Sequence, residues 1–257
     1  MNTACALMQK GPVAPSAEQL KLAYRGVPGV PAVDADRLSQ NAFGILARNL
    51  RADQATALQA NLKAQGIEAD VIEESALPPL PPGKTVRRLE FTSDALMVYD
   101  PLGRPFPVPW GNLTLLAAGN VQQATFQRVR SEREEVRTKF VHGVIPVPVR
   151  ETIVGYSSQE SAAKVLRGEI ILTRSAARFS IEAENFNYAA CLGEHFQRDV
   201  PLDFCRLIGE LAGRAPQAVQ TRGVATIMAE PPVFLAYPRQ KFLEEEIVWM
   251  IWRASSA

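Results

Sequence analysis

The chain has 257 residues, 47% of them hydrophobic and 21% charged, with a formal net charge of +1. Such a composition supports a folded core and excludes a disordered chain, and so small a charge gives no global field toward nucleic acid or an anionic membrane. No run approaches the roughly 20 apolar residues of a bilayer span, and the three cysteines, Cys5, Cys191 and Cys205, are too few and too widely spaced for a disulfide framework, which suits a reducing cytoplasm.

Residues 1–16, MNTACALMQKGPVAPS, hold a short apolar stretch whose lysine follows it rather than precedes it. That is not the layout of a secretory signal, and the segment reads as weakly ordered. Ser16 with Gln19 makes a capping-box pattern, so a helix should begin near Ala17, with Leu20, Ala23, Tyr24 and Val27 on its inner face. Pro28-Gly29 ends it, and Gly29 is expected at positive φ. A second short helix is expected over Val33–Gln40, a strand over Phe43–Leu50, a helix over Ala52–Gln65 closed by Gly66, and a strand over Ile67–Ile72. This makes a small α/β sandwich over residues 17–76.

Residues 77–83, LPPLPPG, carry four prolines and read as an extended spacer. A second unit, 84–257, is expected to be β-rich at first. Leu89, Phe91, Leu96, Val98, Phe106 and Val108 alternate around a turn at Asp100-Pro101-Leu102-Gly103, with a corner at Pro109-Trp110 and another apolar strand after it. Gln122–Arg130 suits a strand, Ser131–Lys139 a charged loop or strand extension, and Val144–Val149 an edge strand, because its prolines alternate. Gln159–Arg167 suits a short helix, and Glu169–Thr173 with Arg178–Glu182 a hairpin about Ser175-Ala176. Asp203–Ala212 reads as a helix burying Phe204, Leu207, Ile208 and Leu211. Gln240–Arg253 reads as a helix with Phe242, Leu243, Ile247, Met250 and Ile251 inside and Glu244 to Glu246 on a polar side. The fold class is therefore α+β, and strands closed by a C-terminal helix follow the element order of pleckstrin-homology-like barrels.

The stretch LKLAYRGVPGVPAVDADRL, with the later ALQANLKAQGIEADVIE, resembles the C-terminal domain of the bacterial ribosomal stalk protein. Arg25 and Gly29 fall on that family's Arg-x-x-x-Gly turn, Ala35 on its second-helix alanine, Ala55 on its third-helix alanine and Gly66 on its last glycine. The resemblance covers about fifty residues and implies a fold. The stalk domain recruits translation factors through a basic helical face. Two of that face's lysines would fall here on Leu22 and Asp36, so the fold carries across and the factor-binding chemistry does not.

Residues for chemistry are few. Cys191, His195 and Cys205 are the clustered soft ligands, spaced C-x3-H-x9-C, and a zinc site wants a fourth. Glu182, Glu184, Glu194 and Asp203 are the acidic residues from which a paired general acid and base would be drawn. No Gly-x-Ser-x-Gly elbow or phosphate loop is present. Phe179, Phe186, Tyr188 and Phe196, interleaved with Arg174, Arg178 and Arg198, suit a core better than base stacking, since Glu182, Glu184 and Glu194 lie among them. No cofactor or metal is expected. The functional reading is a non-enzymatic protein-interaction or adaptor protein without membrane or nucleic-acid partners. Its contact residues are Lys21, Arg25 and Val30, with Asp34 and Asp36 biasing partner choice and Trp252 as a second surface. The alternatives are an enzyme with an acidic or Cys/His pocket in the second unit, and a nucleic-acid binder using Arg128, Arg130, Arg133 and Arg137.

Overall fold

Strand β1, Cys5–Gln9, is the middle strand of an N-terminal sheet, between β2 (Ile45–Leu50) and β3 (Ala69–Glu73), antiparallel to both. The computed structural model describes residues 4–30, 42–141, 145–172 and 174–256, and of 124–141 and 145–162 it describes the backbone. The weak order expected for residues 1–16 does not hold for Cys5–Gln9, which form β1. Every residue of CALMQ is buried, because helices cover one side of the sheet and the C-terminal helix the other. A strand buried on both faces lacks period-two alternation, so its pattern does not announce it.

Helix α1, Ala17–Tyr24, opens with the expected reciprocal capping box of Ser16 and Gln19, and α2, Ala52–Ala64, spans the expected helix. Leu20, Ala23, Tyr24, Ala55, Leu58 and Leu62 pack with Leu7 and Leu46 against one face of the sheet. Gly29 and Gly66 have φ of +75° and +76°, the left-handed region in which a side chain is strained. The helix expected over Val33–Gln40, with Ala35, Asp34 and Asp36, lies outside the described residues.

The proline-rich stretch is not a free spacer. Leu77 and Leu80 pack onto the apolar cluster of Met8, Phe43 and Ile45, and Gly83–Thr85 forms β4, parallel to the later strand Ala177–Glu182. The two leucines among the prolines tie the segment down. Residues 1–122 and 165–257 accordingly form one compact unit, so the expected boundary at 77–83 is not where the chain divides.

Strands β5 (Leu89–Phe91), β6 (Ala95–Tyr99) and β7 (Pro105–Pro109) make the expected antiparallel meander. Strands β8, Leu115–Val141, and β9, Ile145–Leu172, are neighbours in the central sheet, flanked there by β10 (Ala177–Glu182) and β11 (Val219–Gln220), with β12 (Ala236–Tyr237) pairing β8. Their distal parts, residues 123–164, form a second unit. Gln159–Arg167 is strand, not helix, since β9 runs through it and Arg167 pairs with Glu182. Its Ala-, Lys- and Leu-containing composition favours a helix, and ladder pairing overrides that weak preference. The described sheets do not close, so the barrel comparison fails: β11 and β4 end the central sheet as separate edges.

Helices α3 (Ala189–Leu192), α4 (Val200–Arg214), α5 (Arg222–Ile227) and α6 (Gln240–Ser256) complete the first unit. Phe204, Leu207, Ile208 and Leu211 of α4 are buried as expected, against Leu116, Ile170 and Phe179 of the central sheet. Helix α6 packs on two sides. Leu243 and Ile247 meet Leu115, Ala117 and Ile171, whereas Val248 and Trp249 meet Met8, Phe43 and Ile45. Trp249 Nε1–H donates to Gln9 O at 2.6 Å, and Gly44, φ +73°, leaves the space that its indole fills.

Candidate interaction face

The glutamates of α6 do not form a solvated side. Glu246 is 1% exposed and accepts from the Arg222 backbone N–H at 2.8 Å, the Arg222 guanidinium at 2.9 Å and the Tyr237 hydroxyl at 3.0 Å. Arg222 also lies over the Phe43 ring, 3.3 Å from its centroid. Glu244 accepts from Arg178 at 2.9 Å, and Arg178 in turn forms a bidentate pair with Glu169, which also accepts from Ser180 at 2.6 Å. Arg167 bridges Glu182 and Gln240. Glu169, Arg178 and Glu246 thus each have an opposite charge and further hydrogen bonds, the condition under which burial is tolerated. These networks lock α6 to β9, β10 and α5. Their charged groups are paired with one another, and the buried Arg167 Nε is left without a hydrogen-bond partner.

The acidic candidates do not converge. Glu182 is held by Arg167, while Glu184 and Glu194 are exposed. Asp203 is fully buried and accepts from the backbone N–H groups of Gln197 and Asp199 at 2.9 and 3.2 Å, fastening the loop before α4. Cys191 and His195 line one hollow of about 450 Å³ with Arg206, Glu210 and Arg214, and Cys205 is not among its lining residues. Burial pushes the Cys191 thiol up to about 12, so it stays protonated at neutral pH, which is opposite to what a nucleophile or metal ligand needs. Burial raises the Cys205 thiol as well. Among the described residues no group of three His, Cys, Asp or Glu side chains is placed to hold a metal ion. Phe179, Phe186 and Tyr188 are core residues.

The expected contact residues are placed more informatively. Arg25 is exposed at the C-cap of α1, and its backbone N–H closes the helix on Lys21 O. Lys21 is half-buried. Val30 is half-buried against the N-terminal core rather than standing at the centre of a face. Asp34 lies outside the described residues. Trp252 is half-buried on the Val248–Trp249 cluster. The apolar side chain beside Arg25 that does face solvent is Leu22, 50% exposed, one turn after the exposed Glu18. Glu18, Leu22 and Arg25 follow the i, i+4, i+7 spacing of one helical stripe. The signal was in the sequence, since Leu22 stands where the stalk family has a lysine and falls outside the inner stripe Leu20, Ala23, Tyr24.

The backbone beneath this stripe is tied down by three amides. Gln54 of α2 donates to Pro28 O at 2.9 Å, Asn61 of α2 to Ala23 O at 2.9 Å, and Gln19 of α1 to Gln65 O at 3.0 Å. The turn is thereby bonded to α2 through groups that need no partner to order them. No protein-family model, curated protein or solved structure matches the chain.

Proposed function

We propose that this chain is a non-enzymatic protein-binding protein of the cytoplasm, and that the outward stripe Glu18, Leu22 and Arg25 of α1, with the turn that follows, is its docking face. The observation that carries this reading is Leu22, half exposed between two charged residues on a backbone already fixed to α2. A small apolar centre with a charged rim suits a transient protein contact, and a pre-ordered turn lowers the entropy lost on binding. The complementary partner has an apolar notch for Leu22 and a carboxylate for Arg25. The resemblance to the stalk C-terminal domain supports the reading in architecture only: Gly29 and Gly66 have positive φ where that family keeps its glycines. The cytoplasmic assignment rests on the odd number and wide spacing of the cysteines in the sequence, Cys5, Cys191 and Cys205. No helix of the described residues is long and apolar enough to cross a membrane.

The test is native affinity capture with the wild-type chain, with Lys21→Glu/Arg25→Glu and with Leu22→Asp, read by quantitative mass spectrometry. One partner should be lost from both variants while their thermal midpoints stay at the wild-type value. A partner set unchanged in both would reject the face.

A further inference from the structure

Among the described residues of the first unit, one sheet edge is left unguarded. Strands β4, β5, β11 and β12 are short, two or three residues each. Beside β7, the Asp100 N–H donates to Arg104 O and the Trp110 N–H to Asp94 O, so the even-numbered residues of β7 face β6. Pro105, Pro107 and Pro109 therefore take the outward positions and give that edge no N–H. Strand β2 is out of regular register with β1 and holds Asn49 at φ +56°. Strand β3, Ala69–Glu73, has none of these defences: it is five residues long, in unbroken register with β1 and free of proline. Its one strand partner among the described residues is β1. A bare edge of this kind is a template for another chain.

The open groups of this edge match a copy of themselves. The Lys10 N–H donates to Glu68 O at 3.0 Å and the Glu74 N–H to Ala4 O at 2.9 Å, so the even-numbered residues turn toward β1. Ala69, Val71 and Glu73 direct their N–H and C=O outward. Ala69 O accepts from the Gln59 amide at 2.8 Å, and a carbonyl oxygen has a second lone pair. The outward set is symmetric about Val71. An antiparallel copy placed with its two-fold axis there pairs Val71 with Val71 of the second copy, and Ala69 with Glu73 in both directions. Each is a mutual N–H···O=C pair, so every outward group of both edges is satisfied.

The charges fit the same register. Ala69 and Val71 pack on the α2 side of the sheet and Ile72 on the α6 side, so alternation puts Glu73 on the α2 side. There Glu73 faces Ala69 of the second copy. With Thr56, Gln59, Ala60 and Lys63 of α2, Ala69 lines a hollow of about 470 Å³. Lys63 and Glu73 are both exposed, and among the described residues neither has a partner of opposite charge. Pairing brings each Glu73 to the hollow that holds the other copy's Lys63, and symmetry makes this happen twice. No like charges are set directly opposite, since Asp70 faces Ile72.

From the unguarded edge, its symmetry about Val71 and the unpaired Lys63 and Glu73, we infer that the chain self-associates through β3, two copies pairing antiparallel into one continuous sheet in the order β2-β1-β3-β3-β1-β2. This assembly uses none of Glu18, Leu22 and Arg25, and so is independent of the α1 face.

The experiment is light scattering coupled to size-exclusion chromatography, on the full chain over a concentration series. The wild type should pass from monomer to dimer. Val71→Pro removes the central outward N–H without touching a bond to β1, and Val71→Ala removes the same side chain but keeps the N–H. The proline variant should dissociate roughly tenfold more readily than the alanine variant. Lys63→Glu and Glu73→Lys each bring like charges together twice and should also weaken the dimer. The double variant Lys63→Glu/Glu73→Lys should restore it, a result that a folding defect could not produce. A wild type that stays monomeric throughout the series, a Val71→Pro chain that dimerises as Val71→Ala does, single charge variants that dimerise as the wild type does, or a double variant no tighter than the singles would each overturn the inference.

Discussion

At the scale of single residues, the helix α6 shows how far local environment changes a side chain's role. Three consecutive glutamates, Glu244, Glu245 and Glu246, look interchangeable in sequence. Glu246 and Glu244 receive guanidinium partners, whereas Glu245 has Lys241 at 3.4 Å on its own helix and faces Arg48 and Glu74 from the N-terminal sheet region. Burial outweighs those partners and holds the Glu245 carboxyl above its ordinary value. A carboxyl whose pKa is raised on folding favours the folded state while it is protonated. That contribution is complete below the unfolded value of about 4.3 and is lost as pH rises through the folded value. Glu245→Gln should therefore match the wild type in stability near pH 4 and exceed it near pH 7, where the wild type carries a poorly solvated charge. Denaturant midpoints at the two pH values would check this, and a gap that closes toward neutrality would contradict it. None of this was legible from the sequence, because Glu244 to Glu246 follow the spacing of an ordinary polar side. Their cations, Arg178 and Arg222, come from distant parts of the chain.

At the scale of elements, the parts that sequence reasoning located are those with a local signature. The Ser16–Gln19 box began α1, Gly66 followed α2, and the turn at Asp100–Gly103 joined β6 to β7. The parts it missed depend on tertiary partners. Strand β1 is apolar on both faces because α6 covers the side that α1 and α2 do not. Helix α5 is short, and its Gly223 lies so close to β8 that an added Cβ would fall 1.7 Å from Ala118 O. Leu22, the centre of the proposed face, was visible as a departure from the stalk pattern but not as exposed. The largest consequence concerns independence of the N-terminal sheet. Sequence reasoning sets residues 17–76 apart as a folding unit, yet Met8 of the preceding strand, Phe43 and Ile45 are buried under Val248 and Trp249. Uncovering three such side chains forfeits roughly 5–9 kcal/mol, comparable to the whole stability of a small domain. A fragment ending at Glu74 should accordingly aggregate or lack cooperative unfolding, and should be rescued by adding the α6 peptide. A soluble fragment with a sharp thermal transition of its own would show that the sheet needs no cover.

At the scale of the whole molecule, the first unit binds residues 1–122 to 165–257 through α6, and the second, residues 123–164, is a ribbon of β8 and β9. The buried pairs Arg178–Glu169 and Arg222–Glu246 of the first unit satisfy one another, and its Cys191 thiol is held protonated. What the first unit offers outward is shape: a fixed turn and an exposed leucine between charges on α1. The central claim is that a protein partner docks there. It is tested most directly by placing a photoreactive phenylalanine analogue at position 22 and, as a control, at Leu102, which is 77% exposed on the β6–β7 turn. Irradiation in native extract should yield one protein adduct from position 22 that is absent from position 102. Identical adducts from both positions, or none from position 22, would contradict the claim.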